Sequence, residues 1–102
     1  MAVPRVFLSQ GALDDLLRLE EFLCQSGDPK AGELLDFILD ALQVLTHQPG
    51  IGRPVEEGLR ELIISRRRSG YLARYAFDDT RDLVLVARIR HQRESSYSED
   101  EL

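Results

Sequence analysis

The spacing of apolar residues changes period halfway along this chain, and that change limits the folds open to it. Between Gln10 and Gln25 the apolar residues Ala12, Leu13, Leu16, Leu17, Leu19, Phe22 and Leu23 recur at intervals of three and four, the repeat of one helical face. The same intervals return in Ala31, Leu34, Leu35, Ile38, Ala41, Leu42 and Leu45. Beyond Leu59 the pattern is that of strands. Leu62, Ile63 and Ile64 are adjacent, then Tyr71, Ala73, Tyr75 and Phe77 alternate with other residues. In the last run Leu83, Leu85, Ala87, Ile89 and His91 are expected on one face, with Val84, Val86, Arg88 and Arg90 on the other.

Punctuation residues divide these runs. Ser9 is placed to cap the first helix, Asp14 and Asp15 lie near its positive end, and Ser26-Gly27 closes it. Asp28-Pro29 opens the second helix, with aspartate as cap and proline in the first turn. His47 falls in its last turn, and Pro49-Gly50 stops it. Ile51–Gly58 reads as a loop, Arg66–Gly70 and Asp78–Asp82 as turns, and Pro4–Leu8 as a short first strand. The order is strand, helix, helix, then three strands. It predicts an α+β domain in which an antiparallel helical hairpin packs on a small, mostly antiparallel sheet of about four strands.

At 102 residues the chain suits one domain. We expect that domain over residues 1–93, with an acidic, mobile tail over 94–102. No apolar run reaches the length of a membrane span, and no secretory signal pattern precedes Val6-Phe7-Leu8, so a cytoplasmic protein is expected. Cys24 stands alone and cannot form an internal disulfide; it is expected to be a small buried residue. Two isolated histidines, His47 and His91, give no metal-ligand spacing, and no cofactor or metal is expected.

Charge is distributed unevenly. Residues 1–52 carry three basic and eight acidic side chains, residues 53–93 ten arginines and six acids, and residues 94–102 four acids and no base. An arginine-rich segment of this kind points to a partner surface on the second half. The net charge of −5 disfavours sequence-specific DNA binding by the chain alone, because phosphate binding draws on positive potential.

Several ordered pieces resemble one family. They are Ala12-Leu13 with Leu16, Asp28-Pro29-Lys30-Ala31, and Leu45 followed by Pro49-Gly50-Ile51-Gly52-Arg53-Pro54. Leu59-Arg60-Glu61-Leu62, Ser69-Gly70-Tyr71 with Tyr75, and Ile89-Arg90-His91-Gln92-Arg93 complete the set. Together, over residues 3–93, they resemble ParE-like toxins of the ParE/RelE toxin–antitoxin superfamily. The resemblance implies a fold of order β-α-α-β-β-β and one of two activities. RelE-like members cut messenger RNA on the ribosome; ParE-like members inhibit DNA gyrase.

The residues distinguish these branches. Metal-free RNA cleavage needs a base for the 2′-hydroxyl, cations for the charged intermediate and an acid for the leaving oxygen. RelE-like members place lysines before the Ser-Gly-Tyr turn and an arginine after its tyrosine. Here Ile63 and Ser65 stand where the lysines would be, Leu72 follows Tyr71, and the one lysine, Lys30, opens a helix. His91, with Arg93 and Tyr97, keeps the endoribonuclease as the alternative. An inert homologue that only binds its antitoxin is the third reading. No catalytic residue is assigned on the leading reading.

Candidate target contacts are Arg66, Arg67, Arg68, Arg74, His91 and Arg93. The resemblance also implies a ParD-like antitoxin, in a hetero-oligomer of 2:2 stoichiometry, whose C-terminal segment wraps the toxin. Candidate residues for it are Leu17, Leu19 and Phe22 on the first helix and Arg53, Arg60, Arg88 and Arg90, the arginines facing an acidic segment.

Overall fold

Ser9 sets the start of the first helix: its Oγ accepts from the Ala12 amide at 3.1 Å and donates to the Ala87 carbonyl at 2.7 Å. The computed structural model describes residues 3–66 and 69–94. After β1 (Arg5–Leu8), helix α1 covers Gln10–Gln25. It ends as predicted, with the Gly27 amide donating to Cys24 O and the Asp28 amide to Leu23 O. Gly27 sits at φ 77, where a side chain would be strained.

The second helix begins later than Asp28-Pro29 suggests. The Asp28 side chain accepts from the Lys30 amide at 2.8 Å and its carbonyl from Ala31 at 3.1 Å. That local turn competes with helix. A 3-10 turn over Ala31–Glu33 follows, then α2 (Leu34–Leu42), then a second 3-10 turn over Gln43–Thr46. His47 is exposed at its end, its amide donating to Val44 O.

The sheet has five strands in the order β1-β5-β4-β3-β2, with β2 at Arg53–Pro54, β3 at Arg60–Arg66, β4 at Ser69–Asp78 and β5 at Leu83–His91. The last three strands form the expected antiparallel meander. Two strands differ from expectation. β1 pairs parallel with β5, Arg5 opposite Leu83 through Leu8 opposite Val86. The expected loop 51–58 contributes β2, paired with Arg60 and Glu61.

The faces of β5 also need correction. Arg74 pairs with Arg88 while Tyr75 pairs with Val86, so Ala87 is the extra residue of a β-bulge. Simple alternation fails across it. Val84 and Val86, not Leu83 and Leu85, enter the core, and beyond the bulge Ile89 does. Leu16, Leu19, Leu34, Ile38, Leu42 and Leu45 of the helical layer pack on Leu62, Ile64, Tyr71, Ala73, Tyr75, Val84, Val86 and Ile89 of the sheet. Each fully buried leucine or isoleucine contributes about 1.5–3 kcal/mol.

Two buried polar arrangements fix the parts around this core. The Tyr75 hydroxyl donates to Pro49 O at 2.7 Å and accepts from the Gly52 amide at 2.9 Å. It ties the Pro49–Pro54 loop to the sheet. Only glycine fits at 52, since a Cβ there would lie 2.7 Å from the Tyr75 ring and 2.9 Å from Glu61 O. The second arrangement closes the outer edge of β5 where β1 stops. Asp15 of α1 accepts from the Ile89 amide at 2.8 Å and from Arg88 Nε and Nη2 at 2.9 and 3.0 Å. Asp15 is therefore a buried strand-edge cap, not the helix-dipole residue read from sequence. Its carboxylate meets an amide that the lattice of strands leaves open.

Among the described residues, no helix is long and apolar enough to cross a membrane, and no cluster of three histidine, cysteine or acidic side chains could hold a metal ion.

Candidate functional site

A cavity of about 430 Å³ opens between the C-terminal half of α1 and the end of β5. Helical periodicity brings Arg18, Leu19, Phe22 and Leu23 to one side of it; β4 and β5 supply Tyr71 and His91, and the following turn Arg93 and Glu94. Tyr71 and His91 are register partners. Their rings meet edge to face, 5.1 Å apart at 88°, a favoured aromatic geometry.

His91 Nδ1 accepts from the Arg93 amide at 3.0 Å. That bond holds the neutral imidazole with its proton on Nε2. Burial, and then the charge of Arg93, push the His91 pKa below its usual 6.5, while Glu94 opposes the shift. Glu94 joins the elements here. Its Oε2 accepts from Arg18 Nη1 at 2.8 Å and its Oε1 from the His91 amide at 2.9 Å. The Glu94 carbonyl accepts from Arg90 Nη1. Glu94 thus packs on the domain instead of beginning a tail; residues 95–102, Tyr97 among them, lie outside the described residues.

The other expected site residues are dispersed. Arg53 and Arg74 both face the buried Glu61 on the sheet face away from the helices, at 2.7 and 3.6 Å. Arg60 donates to Gly52 O at 2.8 Å, and Arg88 is held by Asp15. These guanidiniums, read from sequence as contacts for the target (Arg74) or the antitoxin (Arg53, Arg60 and Arg88), already hold internal acceptors. Arg66 ends β3 instead of opening a turn, and Arg67 and Arg68 lie outside the described residues.

On α1, Leu17 is 57% and Phe22 64% exposed, but Leu19 is 6% exposed and belongs to the core, which corrects its reading as a free docking residue. Cys24, expected to be buried, is exposed. The stripe of this helix is narrower than its apolar content suggested. Sequence reasoning missed Arg18, Asp15 and Glu94. Each acts across more than seventy residues of chain, and no local pattern signals such a pairing.

The sheet face away from the helices carries apolar residues at positions 63 and 72. Leu72 pairs with Ile63 on one side and Arg90 on the other. Leu72 is 9% exposed and Ile63 60%.

The model of the family described as the ParE toxin of the type II toxin–antitoxin system parDE matches residues 6–96. The chain belongs to the ParE toxin family. It is therefore a type II toxin of the ParE/RelE superfamily. A relative, Toxin RelE3 of Caulobacter vibrioides, is 33% identical over 89 residues, spanning 87% of this chain and 95% of the relative. The fold is shared with a chain of the chromosomal ParDE system from P. aeruginosa (TM-score 0.69, 22% identity, 87% of this chain and 96% of that one). It is also shared with a chain of the RelBE2 toxin–antitoxin complex from Mycobacterium tuberculosis (TM-score 0.62, 22% identity, 92% and 97%). Both branch names occur among the similar proteins, so within the ParE family the side chains of this chain carry the finer reading.

Proposed function

We propose that this ParE-family toxin arrests growth by inhibiting DNA gyrase in the cytoplasm and is held inactive by a ParD-like antitoxin in a hetero-oligomer, with 2:2 as the expected stoichiometry. The observation that carries this reading is the apolar pair Leu72 and Ile63, where phosphate-binding chemistry would need cations. A phosphorane-like intermediate gains nothing from leucine. Of the arginines around that strip, Arg74 and Arg53 share the single carboxylate of Glu61, and Arg90, the register partner of Leu72, donates to the Glu94 carbonyl. The function is then binding rather than catalysis. The open sheet face, with Ile63, Arg74 and Arg90 around the buried Leu72, is the surface offered to the target, and Phe22 and Leu17 belong to the antitoxin side.

The test is a supercoiling and cleavage assay with purified gyrase, with this protein added alone and then with its antitoxin. Inhibition relieved by the antitoxin is expected. No effect on gyrase at concentrations that arrest growth would overturn the reading.

One observation favours an endoribonuclease instead: His91 and Arg93 line the same cavity, and a histidine that takes up and returns a proton beside a cation has the composition of an acid–base group near an anion site. Messenger-RNA cleavage in a translating extract, lost in His91→Ala, would establish that alternative.

A further inference from the structure

The cavity beside α1 lies apart from Ile63 and Arg74 of the sheet face assigned above to the target. Phe22 projects over it 64% exposed, with Leu19, Leu23 and Tyr71 forming an apolar floor. Phe22 and Leu17 are five residues apart, about 140° around the helix, so one narrow partner stripe cannot cover both. Arg18 and Arg93 stand at the rim. Arg18 Nη2 is buried without a hydrogen-bond acceptor, 3.6 Å from the Asp15 carboxylate, while its Nη1 is held by Glu94. A carboxylate of the chain itself therefore marks where an acid binds at this rim.

We propose that the cavity anchors one large apolar side chain of an acidic peptide segment from the antitoxin, and that Glu94 is a built-in competitor for the carboxylate accompanying it. The proposal rests on the reading of an antitoxin-held toxin and specifies the chemistry of one contact. An apolar floor under a cationic rim complements an apolar residue flanked by acids. A phosphate chain fits less well, because Leu19, Phe22 and Leu23 offer its charges no donor. The competing bond is a partly exposed ion pair, with side chains 36% and 30% accessible. It is weak enough to be displaced.

The experiment titrates the full-length toxin with its antitoxin and with a synthetic peptide of the antitoxin's acidic segment, by calorimetry. Phe22→Ser is expected to weaken both by at least about tenfold, the value of burying one large apolar side chain. Glu94→Gln retains an acceptor for the His91 amide but loses the charge, and is expected to tighten both by about two- to fivefold. Ile51→Ser, at an exposed residue elsewhere, should change neither by more than about twofold. Binding unchanged by Phe22→Ser, or weakened by Glu94→Gln, overturns the proposal alone. No complex with the wild-type protein overturns both it and the antitoxin reading. Displacement of the peptide by a single-stranded oligonucleotide, lost in Phe22→Ser, overturns it in favour of a nucleic-acid site.

Discussion

Replacing Asp15 with alanine removes the carboxylate that joins α1 to the edge of β5. Asp15 is 2% exposed, and it accepts from the Ile89 amide and twice from Arg88. Losing the acceptor of a buried amide costs about 1–3 kcal/mol. Breaking a buried ion pair by removing one partner costs about 3–5 kcal/mol. The Arg88 side chain is 21% accessible, so water recovers part of its loss, and the lower end applies: about 3 kcal/mol in all. Against a total of about 5–15 kcal/mol for a domain of this size, the midpoint of thermal unfolding should fall by about 12–24 °C. Urea unfolding followed by far-ultraviolet circular dichroism measures the free energy directly. Asp15→Asn keeps an acceptor for the Ile89 amide and loses only the charge, so it should lose less than alanine. Asp14→Ala is the control, since exposed Asp14 bonds only to Gln10 in its own helix among the described contacts; it should stay within about 0.5 kcal/mol. An Asp15→Ala variant as stable as Asp14→Ala would refute the account of Asp15 as a strand-edge cap.

Tyr75→Phe removes the hydroxyl between Pro49 O and the Gly52 amide and should lower stability by about 1–3 kcal/mol; Gly52→Ala, which forces a Cβ against the Tyr75 ring, should cost a similar amount. Equal urea midpoints for wild type and both variants would contradict the clamp. His91 should titrate below 6.5, because burial disfavours its charge and Arg93 adds to that effect. The unfolded chain then binds the proton more readily. The contribution of His91 to stability is fully present above 6.5 and is lost as the pH falls from there through the lower folded value. Nuclear magnetic resonance of the His91 ring reads this pKa, and titration at or above 6.5 would refute the burial argument. His91→Gln should flatten the pH dependence of stability in that window.

Local chemistry made parts of this molecule legible. Ser9, Gly27 and the intervals of three and four placed α1 at its observed ends, and the run from Leu83 to His91 placed β5. These signals survive because capping and periodicity involve neighbours in the chain. The start of α2 was less legible, because Asp28 serves a turn as readily as a helix cap. Of the site, Phe22, His91 and Arg93 were visible as candidates, and the structure brings them to one cavity.

By itself, the sequence determined the two helices, the meander of the last three strands, the α+β class and the apolar identity of residues 63 and 72. Only the tertiary structure decided which face of β5 enters the core, since the bulge at Ala87 arises from pairing with β4 and a one-residue shift exchanges every face. It also decided that β1 lies parallel to β5, and that Asp15, Glu61 and Glu94 take up arginines that composition left apparently available for partners. Ion pairs and strand neighbours form between residues distant in sequence. A carboxylate's role depends on which guanidinium or amide the fold brings within about 3 Å of it, and that distance exists only once the chain has folded.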